Sequence, residues 1–455
     1  MNCNKMRRAA IGLLSAVMLS VSLTGCFFKS VDELYTPPQP SREYEALQNQ
    51  LSQVMAAGGE YAAPLSGEMI QAVQLHDLTG DGQKEAIAFF RFPGEEKPLR
   101  ICIFRQSGEE YVPLVTVEGA GTAIYCVDYA QLDDSPCKEL VVSWQMSSQL
   151  CSLAAYSIGR DGANELLRTD YTSYKLSDLD GDSQQELVVL RTPGGGAPQA
   201  ELYDCDGVLT LADTAPLSGG ITALASLGVR SGYLVDRVPG LFVTSTYGEN
   251  GAITDVLVCR EGKLQNVTLN GETGESGETI RFTTLVSERD INGDGILELP
   301  QPIPLLDYRV TSTTVNFWLV RWRQLDAGGR ITPVYTTYHN DRDGWYFVLP
   351  DSWEEKLVLN RSDMPGGGER SVTFSRWEGD EAVSPAPFLT VYKLTGTNRA
   401  SRAKAAGRFI LLEEGQGSNG TIYAAEFREG WDCGLTEDEV RERFHLIKTD
   451  WYTGY

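Results

Sequence analysis

Histidine is scarce in this sequence: His76, His339 and His445 are the only three in 455 residues. They lie far apart, and none falls in an HxH, HExxH or Cys/His grouping, so no zinc centre is expected. The GxSxG elbow, the P-loop and the dinucleotide fingerprint are absent too. Two glycine-rich stretches, TPGGGAP (192–198) and MPGGGER (364–370), carry no Lys-Ser/Thr pair and read as loops. Basic charge is short: 39 Lys and Arg face 62 Asp and Glu, a net charge of −23. That field excludes nucleic acid as a partner. No stretch after the N-terminal segment approaches 18 apolar residues, so no later transmembrane helix is expected.

The first residues have the layout of a targeting segment. Lys5, Arg7 and Arg8 precede the apolar run AAIGLLSAVMLSVSL, which ends in LTGC at Leu23–Cys26. Small residues before a cysteine resemble the bacterial lipobox. The resemblance implies a lipoprotein signal peptide over 1–25, cleavage before Cys26 and a diacylglyceryl group on its thiol. Such a lipid tethers a chain outside the cell membrane without spanning it. The removed peptide carries three positive charges, leaving the mature chain near −26. Seven other cysteines would remain, at 102, 126, 137, 151, 205, 259 and 433. An odd number without CxxC spacing is no disulfide framework. Cys102, Cys151 and Cys259 sit in apolar runs and read as small buried hydrophobes.

Residues 26–66 comprise the Cys26 anchor, a Pro-rich spacer (YTPPQPS, 35–41) and a helix from REYEALQNQLSQVMAA, with Leu47, Leu51, Val54 and Met55 at helical spacing. A different pattern starts at 67. The stretches DLTGDGQKEAIAF (77–89), DLDGDSQQELVVL (178–190) and DINGDGILELP (290–300) are copies of one unit. QLDDSPCKELVVSW (131–144) is a worn copy that keeps Glu139, and YLVDRVPGLFVTS, near 234, keeps only the apolar run. Starts at 77, 131, 178 and 290 are 54, 47 and 112 residues apart, a period of about 50 with one gap doubled. Strand-like runs flank each loop, and a hairpin signal follows. Four strands per unit over 67–338 predict a mainly β chain: a β-propeller of about five four-stranded blades. Radial repetition also hides sheet edges.

Asp-x-Asp-Gly-Asp loops in a β-repeat of this length resemble the FG-GAP/VCBS repeats of integrin-α-like propellers, and with the lipobox, lipoproteins of Gram-positive bacteria. Taken as numbered positions, the loops also speak for themselves. Positions 1, 3, 5, 7 (through a carbonyl) and 9 are Asp178, Asp180, Asp182, Gln184 and Glu186 in one copy. They are Asp290, Asn292, Asp294, Ile296 and Glu298 in another, and Asp77, Thr79, Asp81, Gln83 and Glu85 in the first. Alternate oxygens on a tight loop can surround one Ca²⁺, which takes six to eight oxygens. An EF-hand would need an acid at position 12 and a helix after it. Position 12 is Ala88, Val189 or Gln301, and β-forming residues follow.

Residues 339–455 read as a separate small α+β domain. DGWYFVLPDSWEEKLVLNR suggests two strands around a Pro-Asp turn, and four more strand-like runs follow. LTEDEVRERFHLIKTDW reads as an amphipathic helix with a Thr436/Glu439 capping box. This part loosely resembles the PsbP-like fold and C-terminal domains of Gram-positive lipoproteins. The function expected is non-catalytic: a lipid-anchored, extracytoplasmic calcium-binding platform for an envelope protein or glycan. The alternative is a secreted hydrolase with an acidic site, for which Glu354/Glu355 and Asp341/Asp343 are candidate pairs.

Overall fold

The computed structural model describes residues 42–447, except 160–161, 193–195, 206, 284–285, 306–317, 364–367, 381 and 416–419. The expected signal peptide, Cys26 and the Pro-rich spacer lie outside the described residues. Among the described residues no helix is long and apolar enough to cross a membrane.

The chain is mainly β, and its described residues form six antiparallel sheets. The first has strands Val73–His76, Glu85–Arg91, Leu99–Ser107 and Glu110–Gly119, with Glu60–Tyr61 beside Val73–His76 on one edge of Glu85–Arg91. The second comprises Ala123–Ala130, Glu139–Gln145, Cys151–Gly159 and Gly162–Asp170. The third comprises Ser173–Ser177, Glu186–Arg191, Gln199–Cys205 and Leu209–Pro216, and the fourth Ile221–Tyr233, Pro239–Tyr247, Gly251–Arg260 and Lys263–Asn266. Each is a meander in chain order, as the repeat predicts.

The apolar run after each loop becomes the second strand, and its lack of polar alternation has a cause. A strand's side chains alternate between two faces, and here both faces are covered. In the second sheet Leu140, Val142 and Trp144 join a core with Ile87 and Phe89 of the first, whereas Val141 joins Leu187 and Val189 of the third. In the third, Val188 and Leu190 turn to Leu241 and Val243 of the fourth. Phe242 then packs with Leu299 and Leu325 of the fifth. Successive sheets therefore stack face to face. The outer face of the first sheet (Ala86, Ala88, Phe90) is covered by Leu51 of the helix Arg42–Ala56.

The fifth sheet departs from expectation. Among the described residues RFTTLV supplies no first strand; Arg281 makes an isolated bridge to Ala252. The sheet instead runs Leu299–Pro304, Trp318–Leu325, Ile331–Asn340 and Trp345–Val348, and then takes Phe444–Leu446 from the far end of the chain. The expected boundary at 338/339 falls inside Ile331–Asn340. The stretch after it is a hairpin turn, with Gly344 at φ 75° and an Asp-Gly dipeptide suited to that role. The C-terminal helix is shorter than expected, Glu437–Arg443. Its Thr436/Glu439 capping box is present. It stops because Phe444, His445 and Leu446 pair with Phe347, Tyr346 and Trp345.

The sixth sheet has the order Leu357–Asp363, Glu369–Arg376, Ala386–Leu394, Thr421–Phe427, Arg408–Glu414. It shares one core with the fifth through Tyr338, Phe347, Trp353, Phe374 and Phe388. Its other face is covered by Ala403 of the short helix Arg399–Ala403. All seven described cysteines are free thiols; Cys102 and Cys259 are buried and Cys151 half-buried.

Candidate metal centres

In the first three sheets the acidic loop connects the first strand to the second; before the fifth sheet it lies between the bridged residues Arg289 and Glu298. The three well-preserved copies share one backbone geometry. The position-1 aspartate accepts from the amides of positions 4 and 6. Asp77 accepts from Gly80 (2.8 Å) and Gly82 (2.9 Å), Asp178 from Gly181 (2.7 Å) and Ser183 (3.0 Å), and Asp290 from Gly293 (2.7 Å) and Gly295 (2.8 Å). This winding requires left-handed backbone at positions 4 and 6. Ser183 adopts it, at φ 77°, without being glycine.

Glu at position 9 has a second duty. Its Oε2 accepts from the amide of position 2: Glu85 from Leu78 (2.8 Å), Glu139 from Leu132 (3.0 Å), Glu186 from Leu179 (2.6 Å) and Glu298 from Ile291 (2.9 Å). Leu78, Leu132 and Leu179 are buried, so this bond anchors the start of each loop to the core. It explains why the worn loop keeps Glu139 although Gln131 and Ser135 replace the acids of positions 1 and 5.

Two loops gather carboxylates. Single oxygens of Asp178, Asp180 and Asp182 lie within 4.8 Å of one another, and so do those of Asp290, Asp294 and Glu298. Oxygens bound to one Ca²⁺ at about 2.3–2.6 Å stand no farther apart than about 5 Å, so both clusters fit that ion. Among the described residues no donor occupies the carbonyl oxygens of Gln184 and Ile296, leaving the expected position-7 ligands open. Asn292 donates to Asp294 Oδ2 (2.8 Å) and accepts from the Asp294 amide (3.0 Å). Gln324 donates to Asp294 (2.7 Å) and Glu298 (2.9 Å). Burial, reinforced by Asp180, Asp182 and Asp178, pushes the Glu186 carboxyl up to about 7. Burial with Asp294 and Asp290 does the same to Glu298, also to about 7. These acids crowd one another, and a cation would relieve the crowding.

The first loop differs. Asp77, Asp81 and Glu85 form no such cluster among the described residues. Thr79 spends its hydroxyl proton on Glu85 Oε1 (3.0 Å), and Glu85 Oε2 takes the Leu78 amide. The 131 loop departs further, because Pro136 at position 6 is locked at negative φ. The fourth loop has shrunk to the turn Val235–Arg237, from which Arg237 donates to the Asp294 carbonyl (3.0 Å). Consecutive loops are stitched together. Lys138 N donates to Leu78 O (2.9 Å), Gln185 N to Gln131 O (2.8 Å) and the Gln184 amide to Asp134 (2.9 Å).

Two of the acids proposed for hydrolysis, one from each pair, are otherwise engaged. Glu354 pairs with Arg321 (2.6 Å), and Asp343 with Arg370 (2.6 Å). Lys393 and Tyr423 donate to the Asp343 carbonyl.

Sequence reasoning missed one feature. The first strands of the first three sheets face a cleft of about 880 Å³. His76 stacks on Tyr129 there (ring centroids 4.0 Å apart). Tyr174 donates to Asp128 Oδ2 (2.6 Å) and lies 3.2 Å from Cys126 Sγ. Burial raises the Asp128 carboxyl and pushes the Cys126 thiol up to about 11.

No protein-family model matches the chain, and no curated protein matches it. Solved structures align over most of its length at low similarity. A Lactobacillus plantarum protein is 10% identical with a TM-score of 0.29, over 72% of this chain and 86% of its own. Sqt1 from Chaetomium thermophilum is 11% identical with a TM-score of 0.30, over 82% of this chain and 98% of its own. A Bacteroides fragilis protein named as a candidate 6-phosphogluconolactonase is 12% identical with a TM-score of 0.26, over 73% and 85%. Likeness at this level decides neither the arrangement of the sheets nor an activity.

Proposed function

We propose that the chain is a calcium-braced, propeller-type array of β-sheets of the FG-GAP/VCBS kind. Tethered outside the cell membrane through Cys26, it serves as a non-catalytic platform for a protein or glycan of the envelope. The observation that carries the calcium reading is the convergence of carboxylates at Asp178, Asp180 and Asp182 and at Asp290, Asp294 and Glu298. The radial arrangement is supported by face-to-face packing of successive sheets and by the cleft that three first strands share. The ion acts as a brace in this reading. It ties the two ends of a loop whose neighbours hydrogen-bond to it, and Ca²⁺ in a full oxygen shell has no open position for chemistry. Extracellular calcium modules bind at about 10⁻⁴–10⁻³ M. At roughly 100 times Kd one site adds about 2.7 kcal/mol.

Equilibrium dialysis of the purified chain against radioactive calcium should find two ions. Asp178→Ala with Asp182→Ala should remove one, and Asp290→Ala with Asp294→Ala the other. Millimolar calcium should raise Tm over EDTA in the parent chain and not in the fourfold variant. An unchanged Tm together with no bound ion at 10 mM calcium would sink the brace.

A further inference from the structure

We propose that the cleft along the first strands of the first three sheets binds an uncharged oligosaccharide. The inference rests on the platform reading and names the surface and ligand class that reading leaves open.

Its volume, about 880 Å³, lies in the range of small-ligand sites. What lines it differs from a packing defect. Tyr125 presents a partly exposed ring, 39% accessible, on the strand Ala123–Ala130. Glu68, Gln145, Gln149 and Lys175 line the same space, and none of their side chains has a hydrogen bond or ion pair among the described residues. Asp128 is held by Tyr174 through Oδ2 alone, which leaves Oδ1 to accept from a ligand. The carboxylate is thus oriented by one partner and available through its other oxygen.

This set selects a class. The faces of Tyr rings suit the C–H face of a pyranose. Planar amides offer a donor and an acceptor side by side, and a carboxylate offers two acceptors, which matches neighbouring hydroxyls. Charge is sparse: Glu68 and Asp128 face Lys175, a formal excess of one negative charge. A site for a polyamine or a polyanion would carry a larger excess of one sign. Cys126, protonated at neutral pH, supplies no nucleophile, in keeping with binding rather than cleavage.

Calorimetric titration of the full chain with tetra-N-acetylchitotetraose and with maltotetraose tests the proposal, with spermidine and trigalacturonate as charged controls. At least one neutral tetrasaccharide should bind with a Kd below about 1 mM. Tyr125→Ala and Gln149→Ala, both at solvent-accessible positions, should each weaken it about tenfold or more with Tm unchanged. No binding of either neutral sugar at 10 mM would overturn the proposal. So would tighter binding of a charged control, or sugar binding indifferent to both substitutions. Binding retained in the calcium-loop variants would support the cleft while removing calcium from its account, so the two readings fail separately.

Discussion

Glu139 lies in the loop where Gln131 and Ser135 replace the acids of positions 1 and 5, and so separates the structural duty of position 9 from metal binding. It is 2% exposed, and its Oε2 takes the Leu132 amide at 3.0 Å. Burial raises its pKa, with Asp133 adding to the effect. Glu139→Ala would leave the Leu132 amide buried without an acceptor, at a cost of about 1–3 kcal/mol. Loss of one buried methylene adds about 0.8 kcal/mol, and the combined loss is about 2–4 kcal/mol. Glu139→Gln keeps a side-chain carbonyl to accept the bond and removes the buried charge, so it should lie within about 1 kcal/mol of the parent. The assay is urea denaturation with hydrogen exchange followed on a peptide spanning 131–139. Glu139→Ala should speed exchange at Leu132 and lower the midpoint, with or without calcium, whereas Glu139→Gln should do neither. Should Glu139→Ala leave both readouts at parental values, position 9 is not an anchor, and its persistence needs another cause.

Two further outcomes follow from the same loops. Glu298 titrates near 7 in the metal-free fold against 4.5 for a free glutamate, so between those values the folded state binds more protons than the unfolded. Stability in EDTA should therefore fall as pH rises from about 4.5 to 7, by up to about 3 kcal/mol from this buried group. Glu298→Gln should flatten the profile of Tm against pH, and saturating calcium should remove the penalty at pH 7.5. Gly80 and Gly82 separate two costs. Both are left-handed (φ 69° and 84°), but a Cβ on Gly80 would meet the Pro136 carbonyl at 2.4 Å, while one on Gly82 meets nothing within 4 Å. Gly82→Ala should cost about 1 kcal/mol and Gly80→Ala at least about 2 kcal/mol in urea denaturation.

What the sequence disclosed followed from local rules. The repeat, its strands and the loop positions were legible because Asp, Gly and apolar runs recur at fixed offsets, and each offset answers to one backbone geometry. In the first loop, spacing alone does not reveal that Thr79 turns its proton toward Glu85. The fifth sheet was misdrawn for a different reason. Pairing of Phe444–Leu446 with Trp345–Phe347 joins residues about a hundred positions apart, and no local pattern encodes a partner at that distance. Within DGWYFVLP the Asp-Gly turn was visible, but a change in repeat style after 338 was taken for a boundary. The cleft escaped notice because its lining comes from three separate strands, each contributing residues unremarkable in its own segment.

That last pairing also sets an order of assembly. The strands at 345–348 and 444–446 are neighbours in one sheet, and the whole sixth sheet, 357–427, is spelled out between them. Each of the first four sheets has its strands complete as soon as its own segment has emerged during synthesis. The fifth must wait with an open edge until Phe444–Leu446 arrives. The Trp345–Val348 edge is therefore the place where an incomplete chain is most exposed to the wrong strand, and where Phe444–Leu446 acts as the closure.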